Sequence, residues 1–259
     1  MSIIKDFKWE IISEKLIHKD DQAILDRVYS SLNEPYKLRT DLFPEPYVGN
    51  PKTATVILLA LNPGYEGGER KWYANYNGRV ETILKNNLNH ENTQNPYYYF
   101  DESLSKDSPG HDYIKKRFKA VIDKGITIDM LANKMAMIQF FPYHSNKFKY
   151  SKQYLPSQEY NFSLVLEAMA NKKLIVCLRS FKKWEDGLTY YLQKYPELKG
   201  NEKLQFHFNE KKGRSILENY KLIEKQLIEL DNPRSTYISE NNLKKNPEAF
   251  KQLVEALIK

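Results

Sequence analysis

The chain has 259 residues, 41% of them hydrophobic and 28% charged, with a formal net charge of +7 and a pI near 9.1. That balance excludes global disorder and supplies enough apolar material for a large core. With no internal repeat and no interdomain linker visible, one domain over residues 1–259 is favoured over two small ones. The excess of 40 Lys and Arg over 33 Asp and Glu fits a polyanionic partner and equally a merely solvated surface.

The N-terminus is charged and lacks an apolar signal segment, and no apolar run approaches membrane-spanning length; a cytoplasmic protein without a membrane partner is expected. Ile4 to Leu32 reads as a helical extension within about residues 1–40, with Ile11, Ile12, Leu16, Ile24, Leu25 and Val28 at roughly helical spacing. A Pro-rich extended segment, residues 41–51, leads to a first strand over Thr55–Leu61. Residues 65–112 have little periodicity and read as a loop-rich insert, with one helix over Gly78–Asn87.

A basic helix follows over His111–Gly125, then a second strand over Lys134–Phe141. Ser157–Asn171 is a helix with Ser157 as its N-cap, Lys173–Leu178 a third strand and Lys182–Tyr195 a further helix. Lys203–Phe208 and Gln226–Leu230 read as strands, and Pro247–Ile258 as a closing amphipathic helix. Strands alternating with helices predict an α/β fold with a mostly parallel sheet of four to five strands, covered on both faces. Cys177 lies in an apolar run, and one cysteine makes neither an intramolecular disulfide nor a Cys-rich metal site. His90, His111, His144 and His207 have no ligand-like spacing, so no metal and no cofactor is expected. The Gly-containing stretch from Gly64 to Gly68 matches neither a phosphate-binding nor a dinucleotide loop.

The most constrained segment is Val56-Ile-Leu-Leu-Ala-Leu-Asn-Pro-Gly64, a buried-strand signal ended abruptly by a polar exit. Open α/β sheets bind ligands beyond the carboxyl ends of their strands. Three further exits carry polar or charged groups: residues 141–145 with His144, residues 179–184 with Arg179 and Lys182, and residues 231–235 with Asn232. If parallel, these exits could converge on one crevice, where amides, a histidine, arginines and aromatics suit a planar polar ring attached to phosphate. Lys147, Arg179 and Lys182 would rim that crevice as phosphate contacts; otherwise they are solvated surface.

Leu58-Leu-Ala-Leu-Asn-Pro-Gly64 resembles the first motif of the uracil-DNA glycosylase superfamily, closest to its Asn-Pro-Gly branches, the single-strand-selective and mismatch-specific enzymes. Ala136-Met-Ile-Gln-Phe-Phe-Pro142 resembles the strand that usually carries a base-reading Asn three residues before a Pro; here that position is Gln139. Asn232-Pro-Arg-Ser-Thr-Tyr-Ile-Ser239 falls where the second catalytic motif, usually His-Pro-Ser, is expected. The similarity runs discontinuously from about Val56 to Ser239, and the first motif is its specific part.

The resemblance implies a three-layer α/β/α fold and a monofunctional DNA N-glycosylase that flips a base and hydrolyses its glycosidic bond. DNA, single- or double-stranded, would be the partner of a monomeric enzyme. Asn62 would position the hydrolytic water, and Pro63, Gly64, Tyr65, Gln139 and Phe141 would bind the base. Asn232, Arg234 and Ser235 would contact the leaving base or the adjacent phosphate. Asn232 replaces a histidine and cannot become cationic, so the electrostatic gain at the leaving base is lost there, and His144 or Arg234 could substitute if the loops bring either close. Glu66 or Glu69, placed below Asn62 in rank, would polarise the water. The altered second motif and the Tyr-rich insert point to a modified base rather than plain uracil, in repair or in defence against foreign DNA. The alternative is a nucleic-acid or protein binder that keeps this fold without catalysis.

Overall fold

The computed structural model describes residues 3–4, 6–92, 94–204, 215–232 and 235–258. A short antiparallel ribbon, β1 (Ile11–Ile12) and β2 (Ile17–His18), precedes the first helix, α1 (Gln22–Val28). The central sheet contains β3 (Tyr47–Val48), β4 (Val56–Ala60), β5 (Met135–Gln139), β6 (Leu174–Cys177) and β7 (Leu227–Glu229) in the order β3-β5-β4-β6-β7. β4 pairs in parallel with both β5 and β6, β7 is parallel to β6, and only β3 is antiparallel, on β5. The chain is therefore α/β, with a five-stranded, mostly parallel central sheet flanked by helices.

Alternation along each strand explains the two cores. Ile57, Leu59, Ala136, Ile138, Ile175 and Cys177 face one buried cluster, which also holds α6 (Pro156–Ala170) and α7 (Phe181–Lys194) side chains such as Phe162, Leu166, Trp184 and Leu188. Val56, Leu58, Ala60, Met135, Met137 and Val176 face the other. That second cluster takes in α3 (Arg79–Leu88), α4 (Pro109–Ile122), α5 (Ile128–Lys134) and the closing helix, α9 (Pro247–Ile258). Strands buried on both faces must read as continuous apolar runs, which is why Val56–Ala60 stood out in the sequence.

Helix starts follow local capping chemistry. Ser108 accepts from the His111 amide at 3.2 Å, and Thr127 from the Met130 amide at 3.2 Å. α8 (Ile216–Ile223) opens on a reciprocal box between Ser215 and Glu218.

Four sequence expectations are corrected. Of the expected helix Ile4–Leu32, only Gln22–Val28 is α-helical, after a 3-10 turn at Lys19–Asp21: Ile11 and Ile12 pair across a tight turn with His18 and Ile17, so cross-strand pairing takes these positions out of a helical face. Residues 65–112 are more ordered than a loop-rich insert, holding α2 (Glu69–Asn75), α3 and two short 3-10 turns, with Trp72 Nε1 donating to Leu104 O at 2.8 Å. The N-cap of α6 is Leu155, because Pro156 occupies the first turn. Ser157 instead donates through its amide and hydroxyl to Asp21, at 3.1 and 2.5 Å. Of the expected strand Lys203–Phe208, Lys203 and Leu204 lie in a 3-10 turn and residues 205–208 lie outside the described ones.

Candidate active site

The two adjacent parallel strands β4 and β5 deliver the site. Pairing continues past their ends: Phe140 N donates to Ala60 O at 3.1 Å, Phe141 N to Leu61 O at 2.8 Å and Ser145 N to Pro63 O at 3.3 Å. These bonds hold the exits Leu61–Gly64 and Phe141–Ser145 side by side. Between them opens a cavity of about 180 Å³. Asn62, Pro63, Gly64, Gln139, His144 and Arg179 line it, together with Glu45, Glu66, Glu69 and the aromatic rings of Trp72, Tyr99 and Tyr113.

Asn62 is half-buried and its orientation is set by neighbours. Nδ2 donates to Pro63 O (2.9 Å), Ser145 Oγ (3.1 Å) and Ser145 O (3.3 Å). Three acceptors on one side assign that atom as nitrogen. Oδ1, with no partner among the described residues, is the acceptor left to a ligand or water.

Gln139 ends β5 and is 4% exposed. Its Oε1 is buried without a hydrogen-bond partner, and Nε2 has only a weak 4.0 Å contact with Met137 Sδ. A buried amide left unpaired is unfavourable by about 1–3 kcal/mol, so it marks a place where a ligand regains a bond.

His144 is buried at the cavity wall. Nδ1 lies 2.8 Å from Gly64 O, and Nε2 lies 3.2 Å from Glu45 Oε1 without hydrogen-bond alignment. Glu45 is equally buried and accepts at Oε2 from the hydroxyls of Tyr98 (2.9 Å) and Tyr99. Burial drives the His144 ring toward neutrality, but Glu45, the Gly64 carbonyl and Glu69 outweigh it and raise its pKa above the ordinary value. Burial likewise pushes the Glu45 carboxyl up, and His144, Tyr99 and Tyr98 overcome that and hold it below the usual range.

The two acids after Gly64 divide. Glu69 is spent on structure, accepting from the amides of Glu66 and Gly67 at 3.0 Å each, which folds the loop over the first turn of α2. Glu66 is exposed at the cavity, and no bond to its carboxylate is recorded among the described residues. Arg179 is half-buried at the exit of β6, held there by the left-handed turn at Ser180 (φ 64°).

Other expected site residues lie elsewhere. Phe141 is fully buried against Tyr29, Tyr143 and Phe148, so it is core and not a base platform. Tyr65 is outside the cavity lining, with the Arg39 guanidinium 4.3 Å over its ring. Lys147 is exposed and Lys182 pairs with Asp186 at 3.0 Å; neither lines the cavity. Asn232 and Ser235 line a separate depression with Lys116, Arg117 and Tyr237. The sheet order explains this. β7 is two strands from β4, roughly 10 Å away at ordinary strand spacing. The loop after β7 is tied to Asn242, whose Oδ1 accepts from Asn232 N and whose Nδ2 donates to Ser235 O, both at 2.8 Å. Arg234 lies outside the described residues.

Sequence reasoning missed Glu45, Tyr99, Ser145, Trp72 and Tyr113 as parts of this cavity. A signal for Glu45 existed: it is a lone carboxylate between two prolines in an otherwise apolar run, Phe43-Pro-Glu-Pro-Tyr-Val48. The thiol of Cys177 is inert, its pKa pushed up to about 12 by burial.

The wall around Tyr99 is tightly fitted. A Cβ added at Gly110 would fall 2.2 Å from the Tyr99 ring, whose hydroxyl is bonded to Glu45. Gly110→Ala is expected to displace that ring and destabilise the protein by about 1–3 kcal/mol, as overpacking does. Urea unfolding checks this, and an unchanged midpoint would show that the wall has slack. Comparison of the chain with protein-family models, curated proteins and solved structures finds no match.

Proposed function

We propose that the protein is a monofunctional DNA glycosylase-like hydrolase, with the fold of the uracil-DNA glycosylase superfamily, that takes one extruded base into the cavity beside β4 and β5. The observation that carries this reading is the buried, unpaired amide of Gln139 in the same cavity as the oriented amide of Asn62. An amide offers one acceptor and one donor, the pattern that reads the edge of a heterocycle. At about 180 Å³ the cavity is below the ~300–1,000 Å³ typical of drug-sized ligands, so it suits a single ring with its sugar and phosphate left outside.

Each wall then has a task. Trp72, Tyr99 and Tyr113 offer flat apolar surface to the ring, offsetting the few kcal/mol that unstacking requires. Asn62 Oδ1 accepts from the attacking water and fixes it over the sugar carbon. Glu66, exposed at the rim, is the base that takes the water's proton. Water oxygen bonds to the sugar carbon as the carbon–nitrogen bond breaks. The bonding pair leaves with the base, and the proton lost by water, passed on through Glu66 or solvent, completes the released neutral base. Arg179 at the rim meets a flanking phosphate.

The test uses the wild-type protein and labelled oligonucleotides, single- and double-stranded, each carrying uracil, hypoxanthine, xanthine or a 5-substituted pyrimidine, together with genomic DNAs bearing natural base modifications. Alkali cleavage of abasic sites reads out base release. Release from at least one of them is the expected result. Tight binding with no abasic site from any would overturn the enzyme reading in favour of a binding protein.

A further inference from the structure

His144, after β5, and Glu45, before β3, form a buried pair that the glycosylase resemblance does not assign. Both ring nitrogens of His144 face acceptors, Gly64 O at 2.8 Å and Glu45 Oε1 at 3.2 Å. A neutral imidazole has one N–H and one lone pair. Whichever tautomer it adopts, that lone pair would point at a carbonyl or a carboxylate oxygen. Only the doubly protonated ring places N–H on both sides. Glu45 is correspondingly ionised: Tyr98 and Tyr99 donate to its Oε2 and His144 lies beside its Oε1, and together they hold the carboxyl below the usual range against burial.

The two N–H groups of that ring are not equivalent. Nδ1–H is used on Gly64 O and so pins the turn that follows Asn62. Nε2, although close to Glu45, has no aligned hydrogen bond and is buried in the cavity wall. Its N–H stays on the Glu45 side of the ring, in the same cavity wall where Gln139 Oε1 is an acceptor without a hydrogen-bond partner.

We propose that Glu45 is a positioning residue that holds His144 as an imidazolium in the cavity wall, where the charge of the ring stabilises a departing leaving group. The identity of the leaving group as a DNA base rests on the function proposed above; the charge state of the pair does not. His144 acts through its charge and keeps both protons, so the departing base takes the bonding electrons and is neutralised by the proton from water. The cation takes the place of the one that Asn232 cannot provide. Among charged and titratable groups, the ring meets Glu45 directly and Glu69 at longer range. Tyr98 and Tyr99 act on it through Glu45, Tyr73 adds to the same field, and Arg39 meets His144 through its backbone amide.

The sign of the pH dependence follows. With Glu45 present, the ring titrates above its ordinary value, and base release should persist through neutral pH and fall as pH rises through the raised value. Glu45→Gln keeps the volume and an acceptor for the tyrosines but removes the charge. Burial is then opposed only by the Gly64 carbonyl and Glu69, and even at the ordinary value of about 6.5 the ring would be only roughly one-tenth protonated at pH 7.5. Base release should therefore fall at least about tenfold at pH 7.5, and the deficit relative to wild type should shrink as pH is lowered toward 5.5. A merely structural role would lower activity equally at both pH values. Nitrogen-15 NMR of the wild-type rings, with His144→Gln assigning the resonance, reads the pair without any substrate. A doubly protonated His144 at pH 7 is expected, and a neutral ring there would overturn the proposal whether or not Glu45→Gln folds. Equal rates for wild type and Glu45→Gln at pH 7.5 would overturn it too. A doubly protonated ring in a protein that releases no base from any DNA would instead refute the function and leave the pair intact.

Discussion

Replacing Asn62 by alanine is expected to lower single-turnover base release about 10²–10⁴-fold, the range for loss of a group that handles the reacting proton. In free energy that is about 3–5 kcal/mol of lost transition-state stabilisation. The effect should be specific to the chemical step. Nδ2 is tied to Pro63 O and to two atoms of Ser145, which leaves Oδ1 as the part of the side chain free for water. Truncation removes that acceptor and also three donated bonds, so a stability loss of about 1–3 kcal/mol accompanies it. DNA affinity, measured by fluorescence anisotropy, should change little, because Arg179 and the aromatic walls remain. Asn62→Asp separates the two contributions: it retains an oxygen at Oδ1 but presents a second oxygen to three acceptors. It should be the less stable variant. An Asn62→Ala protein with a rate within threefold of wild type would remove Asn62 from the mechanism.

Trp184→Ala is expected to cost about 3–5 kcal/mol, the range for emptying an aromatic site in a core. The ring is fully buried and packs edge-on to Phe140 and Phe162, with centroids 5.4 and 6.1 Å away. Its Nε1 donates to Ala60 O at 3.0 Å, at the residue where β4 turns into Leu61 and Asn62. At about 2–4 °C per kcal/mol for a chain of this size, the melting midpoint should fall by about 6–20 °C. Trp184→Phe keeps most of the volume and loses only the N–H, so about 1 kcal/mol is expected from the hydrogen bond itself. Differential scanning calorimetry distinguishes these outcomes. Equal losses for Ala and Phe would mean that the hydrogen bond, and not the packing, carries the energy.

The two variants act on the same place from opposite sides. Trp184 braces the carbonyl end of β4 from the α7 layer, and Ser145 braces the residue after it from the β5 exit. The candidate site is thus built on a strand buried on both faces, where backbone position is set by packing. An amide mounted on such a strand keeps its orientation when a ligand is absent, which is the condition for preorganised catalysis.

Much of this was legible in the sequence because it depends on local patterns. The apolar runs at Val56, Met135 and Leu174 reported buried strands, and alternation with amphipathic segments reported helices over a parallel sheet. The Asn62-Pro63-Gly64 exit marked the end of the first buried strand, and Gln139, His144 and Arg179 do share the cavity beside it. Local pattern failed where a distant partner decided the outcome. Ile11 and Ile12 fit a helical face but pair with a neighbouring strand. Phe141 sits two residues past the end of β5 yet points its bulk into the core among Tyr29, Tyr143 and Phe148.

By itself, then, the sequence determined that the chain forms an α/β fold and that its buried strands end in polar exits, since periodicity and turn residues act over a few positions. Strand order was decided only in the tertiary structure. By setting β5 and β6 on either side of β4 and leaving β7 at the edge, it joined Gln139, His144 and Arg179 to Asn62 and sent Asn232 to another surface. The same long-range packing brought Glu45, 99 residues away in the chain, to His144. Burial then makes their charges depend on one another, a property that no local stretch of sequence encodes.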